Sequence, residues 1–400
     1  MNIHEYQAKK ILAQNGISVP NGKIAYTPSE AKRVALELTS RGPWVLKAQI
    51  QSGARENGHF ISHEAGHKGG IRLVTQISNI TYEANQMLNN VLVTEQTGPK
   101  GKLVSKIYIE TFAKTLRTFY AGIVIDSAIS SITLLISKEV NKDIINLSTS
   151  DYTKILRVNL FPRENISAIQ TERVADFLDL DKTYIPHLAE FLNQMLSTFI
   201  NLDAKMIEIN PVGVTKEKEF IALDAKISID DNALYRHKDI ARLKDDYEED
   251  EKVLKAKKYD FQYNEFDGNV GCIVNGDGLA LEAMDMLKNY GYSTACTLNV
   301  KGGVDKDKIA TGIKIIMTNP RVEGILINIL GGFLRCNLVA DGILAATQEI
   351  GLTMPMIVRL EGTNKNEAKN ILKDSGLAIT FAESTEEAIK TLAAKLEANN

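Results

Sequence analysis

The sequence predicts an α/β protein with two domains whose sheets differ in kind. In its last third, an apolar strand, a glycine-containing turn and an amphipathic helix recur about five times, the pattern of a parallel sheet covered by helices. Upstream, short β-rich runs alternate with fewer helices, which indicates an α+β domain. A segment dense in charge separates the two patterns. Because 400 residues exceed one ordinary core, two or three domains are expected.

The predicted first domain covers residues 1–242. Its opening reads as a polar helix rather than a secretory signal, because residues 1–12 contain no continuous apolar stretch. Strands are predicted at residues 44–48, 107–110, 121–126 and 131–136. Residues 183–200 place Leu188, Leu192, Met195 and Phe199 at helical spacing, which predicts a packed helix.

Residues 243–265 are predicted to connect the domains, since charged side chains dominate and core formers are few. A solvated surface helix is a compatible interpretation. The second domain is predicted at residues 266–400. Its strands are expected at 270–274, 293–298, 324–330, 356–360 and 378–381. Its helices are expected at 279–288, 306–317, 366–373 and 385–396, with a further helix that follows Gly331-Gly332 and ends near residue 350.

Composition is that of a globular protein: 44% of the residues are hydrophobic, 24% are charged and the net charge is −3. Nothing in this balance indicates nucleic-acid or membrane binding. Three widely spaced cysteines, Cys272, Cys296 and Cys336, form neither a disulfide framework nor a Cys-x-x-Cys metal site. A reducing cytoplasm is therefore expected, with an organelle matrix left open.

Two oxygen-bearing side chains follow apolar runs on neighbouring predicted strands. Asn210 ends the run from Met206, and Asp224 ends the run from Phe220, with a polar turn between the two strands. Mg²⁺ takes one or two protein oxygens and completes its shell with waters and nucleotide phosphates, which such a pair can supply. Lys47 at the end of an apolar strand is a candidate contact for the α-phosphate, with an edge-strand lysine as the alternative.

Glycine-rich turns end several strands of the second domain. Asn275-Gly276-Asp277-Gly278 and Gly331-Gly332-Phe333 are candidates for an anion-binding cradle, although tight turns alone would also need these glycines. Asp277 weakens the cradle, since its carboxylate repels phosphate. No histidine lies in this domain, so a phosphohistidine acting there must come from another chain.

The run His63-Glu64-Ala65-Gly66-His67 matches the H-E-x-x-H pattern of zinc proteases. We reject a protease site because one glycine lies inside the motif, Gly69 and Gly70 follow at once, and no apolar helix carries it. A structural or adventitious metal at His59, His63 and His67 is the weaker alternative.

Together, these residues resemble the β subunit of ADP-forming succinyl-CoA ligase (succinyl-CoA synthetase). The resemblance covers nearly the whole chain and rests on collinear motifs: 1–9 (MNIHEYQAK), 207–211 (IEINP), 267–272 (DGNVGC), 275–276 (NG), 331–336 (GGFLRC), 340–342 (ADG) and 359–364 (RLEGTN). It implies an ATP-grasp domain followed by a flavodoxin-like ligase domain. It also implies an α-subunit partner that binds coenzyme A and carries a phosphorylated histidine, and the reaction ATP + succinate + CoA = ADP + phosphate + succinyl-CoA.

The resemblance also implies roles for individual residues. Nucleotide-binding positions are Lys47, the loop Ala54, Arg55 and Glu56, and Glu110; the Mg²⁺ ligands are Asn210 and Asp224. Glu208 falls where the family orients the phosphohistidine, which makes it the candidate catalytic residue. The succinate and phosphate site is implied at Asn275, Gly332, Phe333 and Leu334.

Several positions depart from the family pattern. Glu56 replaces the last glycine of a Gly-Gly-Arg-Gly loop, Thr118 replaces a nucleotide-contacting glutamate, and Asp277 is added to an Asn-Gly-Ala-Gly turn. Residues 137–141 and Lys301 also differ from glycine-rich family motifs. Two alternatives therefore stay open: a divergent subunit with weakened or lost nucleotide chemistry, and a related ligase acting on malate or another dicarboxylate.

Overall fold

The computed structural model describes residues 1–62, 65–140, 152–162, 164–300, 305–332 and 334–398. The chain divides into two compact units, Met1–Glu248 and Glu249–Asn400. Each contains helices and sheets, so the predicted α/β class is confirmed. Within the described residues, no helix is long and apolar enough to cross a membrane.

The first unit is built on antiparallel sheets. A four-stranded sheet has the order β1-β7-β2-β4, a six-stranded sheet the order β10-β9-β8-β11-β12 with β13 also on β11, and a small sheet the order β3-β5-β6. The strands are β1 (Gly22–Ala25), β2 (Trp44–Ala48), β3 (His59–Phe60), β4 (Ile71–Val74), β5 (Val91–Val93), β6 (Lys102–Leu103), β7 (Ile107–Thr111), β8 (Arg117–Asp126), β9 (Ser131–Ser137), β10 (Ile155–Leu160), β11 (Ala204–Val214), β12 (Phe220–Ala222) and β13 (Ala225–Ile229).

Helices cover these sheets: α1 (Glu5–Gln14), α2 (Pro28–Leu38), α3 (Ile77–Met87), α4 (Ala168–Phe177), α5 (Ile185–Asn201) and the short α6 (Lys238–Ala241). The predicted stripe on α5 is buried, with Leu188, Leu192 and Met195 fully enclosed in the core of the six-stranded sheet. Ile207 and Ile209 of β11 belong to the same core, so the intervening side chains of β11 face away from it.

The second unit contains a doubly wound sheet of strand order β14-β16-β15-β17-β18-β19. Its strands are β14 (Gln262–Glu265), β15 (Val270–Val274), β16 (Thr294–Asn299), β17 (Gly324–Gly331), β18 (Met356–Gly362) and β19 (Ile379–Phe381). β14 is antiparallel to β16, and the other five strands are parallel in the flavodoxin-like order 2-1-3-4-5. The helices are α7 (Glu251–Lys258), α8 (Asp277–Asn289), α9 (Lys306–Met317), α10 (Cys336–Ile350), α11 (Lys365–Asp374) and α12 (Thr385–Glu397).

Both faces of this sheet are buried, because successive residues point into different cores. Cys272 packs in one core with Leu326, whereas Ile273 packs in the other with Ile325 and Ile327. The central strands β15 and β17 are therefore almost entirely apolar, which is why the sequence pattern identified them.

The charged segment 243–265 is more ordered than a simple connection. α7 and β14 both belong to the second unit, where Phe261 and Tyr263 are buried in its core. Residues 243–248 belong to the first unit instead: His4 Nε2 lies 2.8 Å from Asp245 Oδ2, and Lys102 Nζ lies 2.8 Å from Glu248 Oε2. The predicted boundaries at 242 and 266 remain predictions.

Candidate functional site

Asn210 and Asp224 lie opposite each other at the ends of paired strands. The Asn210 backbone N–H donates to the Asp224 carbonyl at 3.2 Å, one residue beyond the Ile209–Ala225 pair of β11 and β13. The structure thus brings together the two predicted Mg²⁺ ligands. An amide and a carboxylate oxygen are the donors that Mg²⁺ accepts from proteins, so the residues present fit the ion.

Glu208 shares the face of Asn210, because the two alternate with buried Ile207 and Ile209 along β11. Directly across the strand pair from Glu208 lies Lys226. Side chains of opposite residues on paired strands share a face, so the carboxyl group of Glu208 and the amino group of Lys226 lie on the same face of the sheet.

Six ionic side chains of the first unit form an ion-pair cluster beside this strand end: Glu5, Lys9, Lys47, Arg55, Glu110 and Asp224. At its centre, Lys47 Nζ lies 2.8 Å from Glu5 Oε1 and 2.7 Å from Glu110 Oε1. It also donates to the carbonyl of Leu223, the residue before Asp224, at 2.5 Å. Lys47 therefore joins β2 to the strand end that carries the predicted metal ligand.

Arg55 bridges two carboxylates of the ion-pair cluster. Its Nη2 lies 2.7 Å from Glu5 Oε2 and 2.6 Å from Asp224 Oδ2, and its Nη1 donates to the Ala48 carbonyl at 2.8 Å. The guanidinium is buried, whereas the Asp224 side chain is 25% exposed. A cationic group thus already contacts the carboxylate that is predicted to bind a metal ion.

Charge pairing outweighs burial at these groups. Burial alone would raise the pKa of Glu5, but Lys47, Lys9 and Arg55 hold this pKa well below its usual range. Burial would lower the pKa of Lys47, yet Glu110 and Glu5 raise it. Burial would likewise lower the pKa of Arg55, yet Asp224 and Glu5 raise it. Glu5, Lys47 and Arg55 are therefore ionised at neutral pH.

The loop that carries Arg55 is tightly held. Ala54 adopts the left-handed conformation, with φ of 55°. The Gly53 N–H donates to Gln96 Oε1 at 2.7 Å. Gly69 lies so close to the Glu56 backbone that a β-carbon would come within 2.2 Å of its carbonyl oxygen. This packing places Ala54, Arg55 and Glu56 on a fixed loop beside the ion-pair cluster.

Sequence reasoning missed Glu5 and Lys9. Both are buried on α1, and Lys9 Nζ lies 2.5 Å from Glu110 Oε2 and 3.0 Å from Glu5 Oε1. A signal was present, since Glu5 and Lys9 share a helix face with buried Ala8 and Leu12. Charged residues within the apolar face of a helix indicate buried ionic partners.

In the second unit, Asn275 lies just after β15, where the strand order changes direction between β15 and β17. Its side-chain Nδ2 donates to the Leu330 carbonyl at 2.8 Å, and its Oδ1 accepts from the Leu330 N–H at 2.9 Å. The amide therefore extends the pairing of the two strands. Ligands of doubly wound sheets bind at such a switch point.

The glycines at this edge differ in what surrounds them. A β-carbon on Gly276, Gly278 or Gly332 would meet nothing within 4 Å, whereas on Gly331 it would come within 2.4 Å of the Leu334 carbonyl oxygen. The first three glycines leave room for a ligand to approach the backbone, and Gly331 is required by the turn itself.

The remaining predicted residues of this edge differ in placement. Leu334 is buried, so its side chain serves the core rather than a ligand. Asp277 begins α8 and accepts from Asn299 Nδ2 at 2.8 Å, where its negative charge also suits the helix dipole. The structure does not describe Phe333, Lys301 or Asn141, the last residue of the altered 137–141 motif.

The H-E-x-x-H motif is only partly placed, since His63 and Glu64 lie outside the described residues. In the described ranges, no group of three or more His, Cys, Asp or Glu side chains is arranged to hold a metal ion.

Comparison with known proteins assigns both units. The family described as ATP-grasp domain matches residues 2–214, and the family described as CoA-ligase matches residues 273–393. The chain is 43% identical over 398 residues to a protein of Acidiphilium cryptum named "Succinate--CoA ligase [ADP-forming] subunit beta", with 99% of both chains covered. A Staphylococcus saprophyticus protein of the same name is 42% identical over 394 residues, covering 98% of this chain and 99% of the relative.

Solved structures share the fold. ATP citrate lyase from Methanothrix soehngenii, in complex with citrate and coenzyme A, superposes with a TM-score of 0.69 at 16% identity, covering 98% of this chain and 99% of the other. At that identity the likeness concerns the fold alone.

Proposed function

Because this chain belongs to the family of β subunits of ADP-forming succinate–CoA ligases, we propose that it binds a magnesium nucleotide in its first unit and relays phosphate through a histidine of an α-subunit partner. The overall reaction is ATP + succinate + CoA = ADP + phosphate + succinyl-CoA, a step of the citric acid cycle. The single observation that carries the proposal is the position of Asn210 and Asp224 on paired strand ends beside Lys47 and Arg55.

In this proposal, Asn210 and Asp224 hold Mg²⁺, which would neutralise and orient the nucleotide phosphates. Lys47 and Arg55 supply fixed positive charge, since buried carboxylates hold both side chains in place. Glu110 orients Lys47 at 2.7 Å. Ala54, Arg55 and Glu56 form the loop beside the phosphates.

Glu208 faces the same side as Asn210, so we propose that it orients the partner's phosphorylated imidazole at the nucleotide. A carboxylate that accepts the imidazole N–H fixes the ring orientation for transfer. Lys226 lies directly opposite Glu208 on β13, so a side chain of opposite charge shares its face.

Succinate and phosphate are proposed to bind at the carboxyl edge of the parallel sheet. Gly276, Gly278 and Gly332 leave their backbone open there, and Asn275 fixes the end of β17. Backbone N–H groups at such turns favour anions. Phe333 and the backbone of Leu334 are included in the proposed site. We place the complex in the cytoplasm, where the buried free thiols of the three cysteines stay reduced.

The experiment is co-purification with the α subunit followed by a coupled assay with ATP or GTP and with succinate or malate. Succinyl-CoA formation that requires both Mg²⁺ and nucleotide is expected. Absence of turnover with every acid and of nucleotide binding would refute the proposal.

A second candidate function has its own support. Glu56 lies in the loop beside the predicted phosphate contacts, and Asp277 puts a carboxylate at the start of α8. These charges favour a subunit that retains its partner but has weakened nucleotide chemistry. Calorimetric titration with Mg-ADP distinguishes the two, because micromolar binding would rule out this second candidate.

A further inference from the structure

We infer that Glu5 is a positioning residue of the nucleotide site, which keeps Arg55 in place when Asp224 turns to the metal ion. This inference rests on the proposed function and adds to it a residue on α1. Both oxygens of the Glu5 carboxylate are engaged: Oε1 by Lys47 and Lys9, at 2.8 and 3.0 Å, and Oε2 by Arg55 at 2.7 Å. No other carboxylate of the described ion-pair cluster contacts all three cations.

Arg55 creates the need for such a residue. Its Nη2 lies 2.6 Å from Asp224 Oδ2, and a carboxylate oxygen cannot serve a guanidinium and a metal ion equally well at once. Binding of Mg²⁺ therefore has to weaken the Arg55–Asp224 pair. Arg55 is only 5% exposed, so water cannot replace the lost partner, and an unpaired buried charge is costly.

Glu5 meets this need by geometry. The same Nη2 atom lies 2.7 Å from Glu5 Oε2, on the buried side of the guanidinium, while Nη1 is held by the Ala48 carbonyl at 2.8 Å. Arg55 can thus release Asp224 without moving and without losing its charge partner. It then remains where a phosphate would contact it.

The charges of the ion-pair cluster indicate how loss of the Glu5 charge would change Mg²⁺ and nucleotide binding. The ion-pair cluster holds three cations, Lys9, Lys47 and Arg55, against three carboxylates, those of Glu5, Glu110 and Asp224. Without the charge of Glu5, Arg55 pairs more strongly with Asp224 and competes with Mg²⁺. The cluster then carries one more net positive charge, which favours binding of the metal-free nucleotide because this is more negative than the magnesium complex.

The test is Glu5→Gln in the full chain co-purified with its α subunit, with ADP binding measured by calorimetry over a series of Mg²⁺ concentrations. We expect the Mg²⁺ concentration for half-maximal binding to rise about tenfold, the size of one charged hydrogen bond. Binding of metal-free ADP should be unchanged or tighter. A purely structural role would weaken both binding reactions together.

Glu83→Gln is the matched control, because Glu83 is also a buried carboxylate, 2.8 Å from Arg72 Nη1, but lies outside the ion-pair cluster. This variant should lose thermal stability and keep the wild-type Mg²⁺ dependence. An unchanged Mg²⁺ dependence in Glu5→Gln, or an equal change in Glu83→Gln, overturns the inference.

Glu5→Asp extends the test if Glu5→Gln does not fold. Aspartate keeps the charge but is one methylene shorter, so it cannot reach Lys47 and Arg55 together. Its Mg²⁺ requirement should lie above that of the wild type, and a wild-type value overturns the inference. If the unaltered complex binds no Mg-ADP, the proposed function itself fails, which is a distinct result.

Discussion

Replacing Ala54 with glycine should stabilise the first unit. Ala54 has φ of 55°, a left-handed conformation that costs an L-residue about 1–2 kcal/mol. Glycine adopts it freely but adds about 0.4–1 kcal/mol of chain entropy to the unfolded state. The net gain in unfolding free energy is about 0–1.6 kcal/mol, with a midpoint of about 0.8 kcal/mol, or about 2–3 °C in Tm for a unit of this size.

Differential scanning calorimetry of Ala54→Gly measures this shift. Ala13→Gly is the matched control: Ala13 is exposed near the end of α1, where glycine costs about 0.5–1 kcal/mol. The same chemical change should therefore raise Tm at position 54 and lower it at position 13. A lower Tm for Ala54→Gly would refute the assignment of backbone strain to this loop.

Three further predictions concern the second unit and the segment before it. Asn275→Asp should lower the unfolding free energy of the second unit by about 1–2 kcal/mol in urea titrations. The carboxylate cannot donate the hydrogen bond that Asn275 Nδ2 makes to the Leu330 carbonyl, and it would face that carbonyl oxygen. Gly331→Ala should destabilise the same unit through its 2.4 Å backbone contact, whereas Gly332→Ala should melt like the wild type yet weaken succinate-dependent turnover. Although burial opposes the shift, hydrogen bonds from Lys106 and His4 lower the pKa of Asp245 from 3.8 to about 2. Its contribution to stability is therefore complete above about pH 4 and lost as pH falls towards 2, so the Tm difference between wild type and Asp245→Asn should shrink over that range.

Local sequence patterns were sufficient for much of the second unit. Its central parallel strands are buried on both faces and hence largely apolar, and side-chain caps mark the starts of α9 and α12. Asp305 accepts from the Lys308 N–H before α9, and Ser384 accepts from the Glu387 N–H before α12. Both features are readable within a few residues of sequence. The predicted helix at 306–317 accordingly has the observed bounds.

Contacts between distant residues could not be read in this way. Glu5 meets Arg55 across 50 positions of sequence, and Asn275 meets Leu330 across 55. Asn275 is predicted from the sequence only as a ligand contact, whereas its amide also joins two strands. Lys47 and Arg55 are predicted as well, but the buried acid that holds both, Glu5, is not. Such pairings depend on how sheets and helices pack, which periodicity does not encode.

The most direct test of the central claim is calorimetric titration of Mg-ADP into the full chain, with and without Asp224→Asn. If Asn210 and Asp224 hold the metal ion beside Lys47 and Arg55, the wild type should bind with micromolar affinity. The variant should bind at least about tenfold more weakly and lose the dependence on Mg²⁺. Equal, Mg²⁺-dependent binding by both proteins would contradict the account.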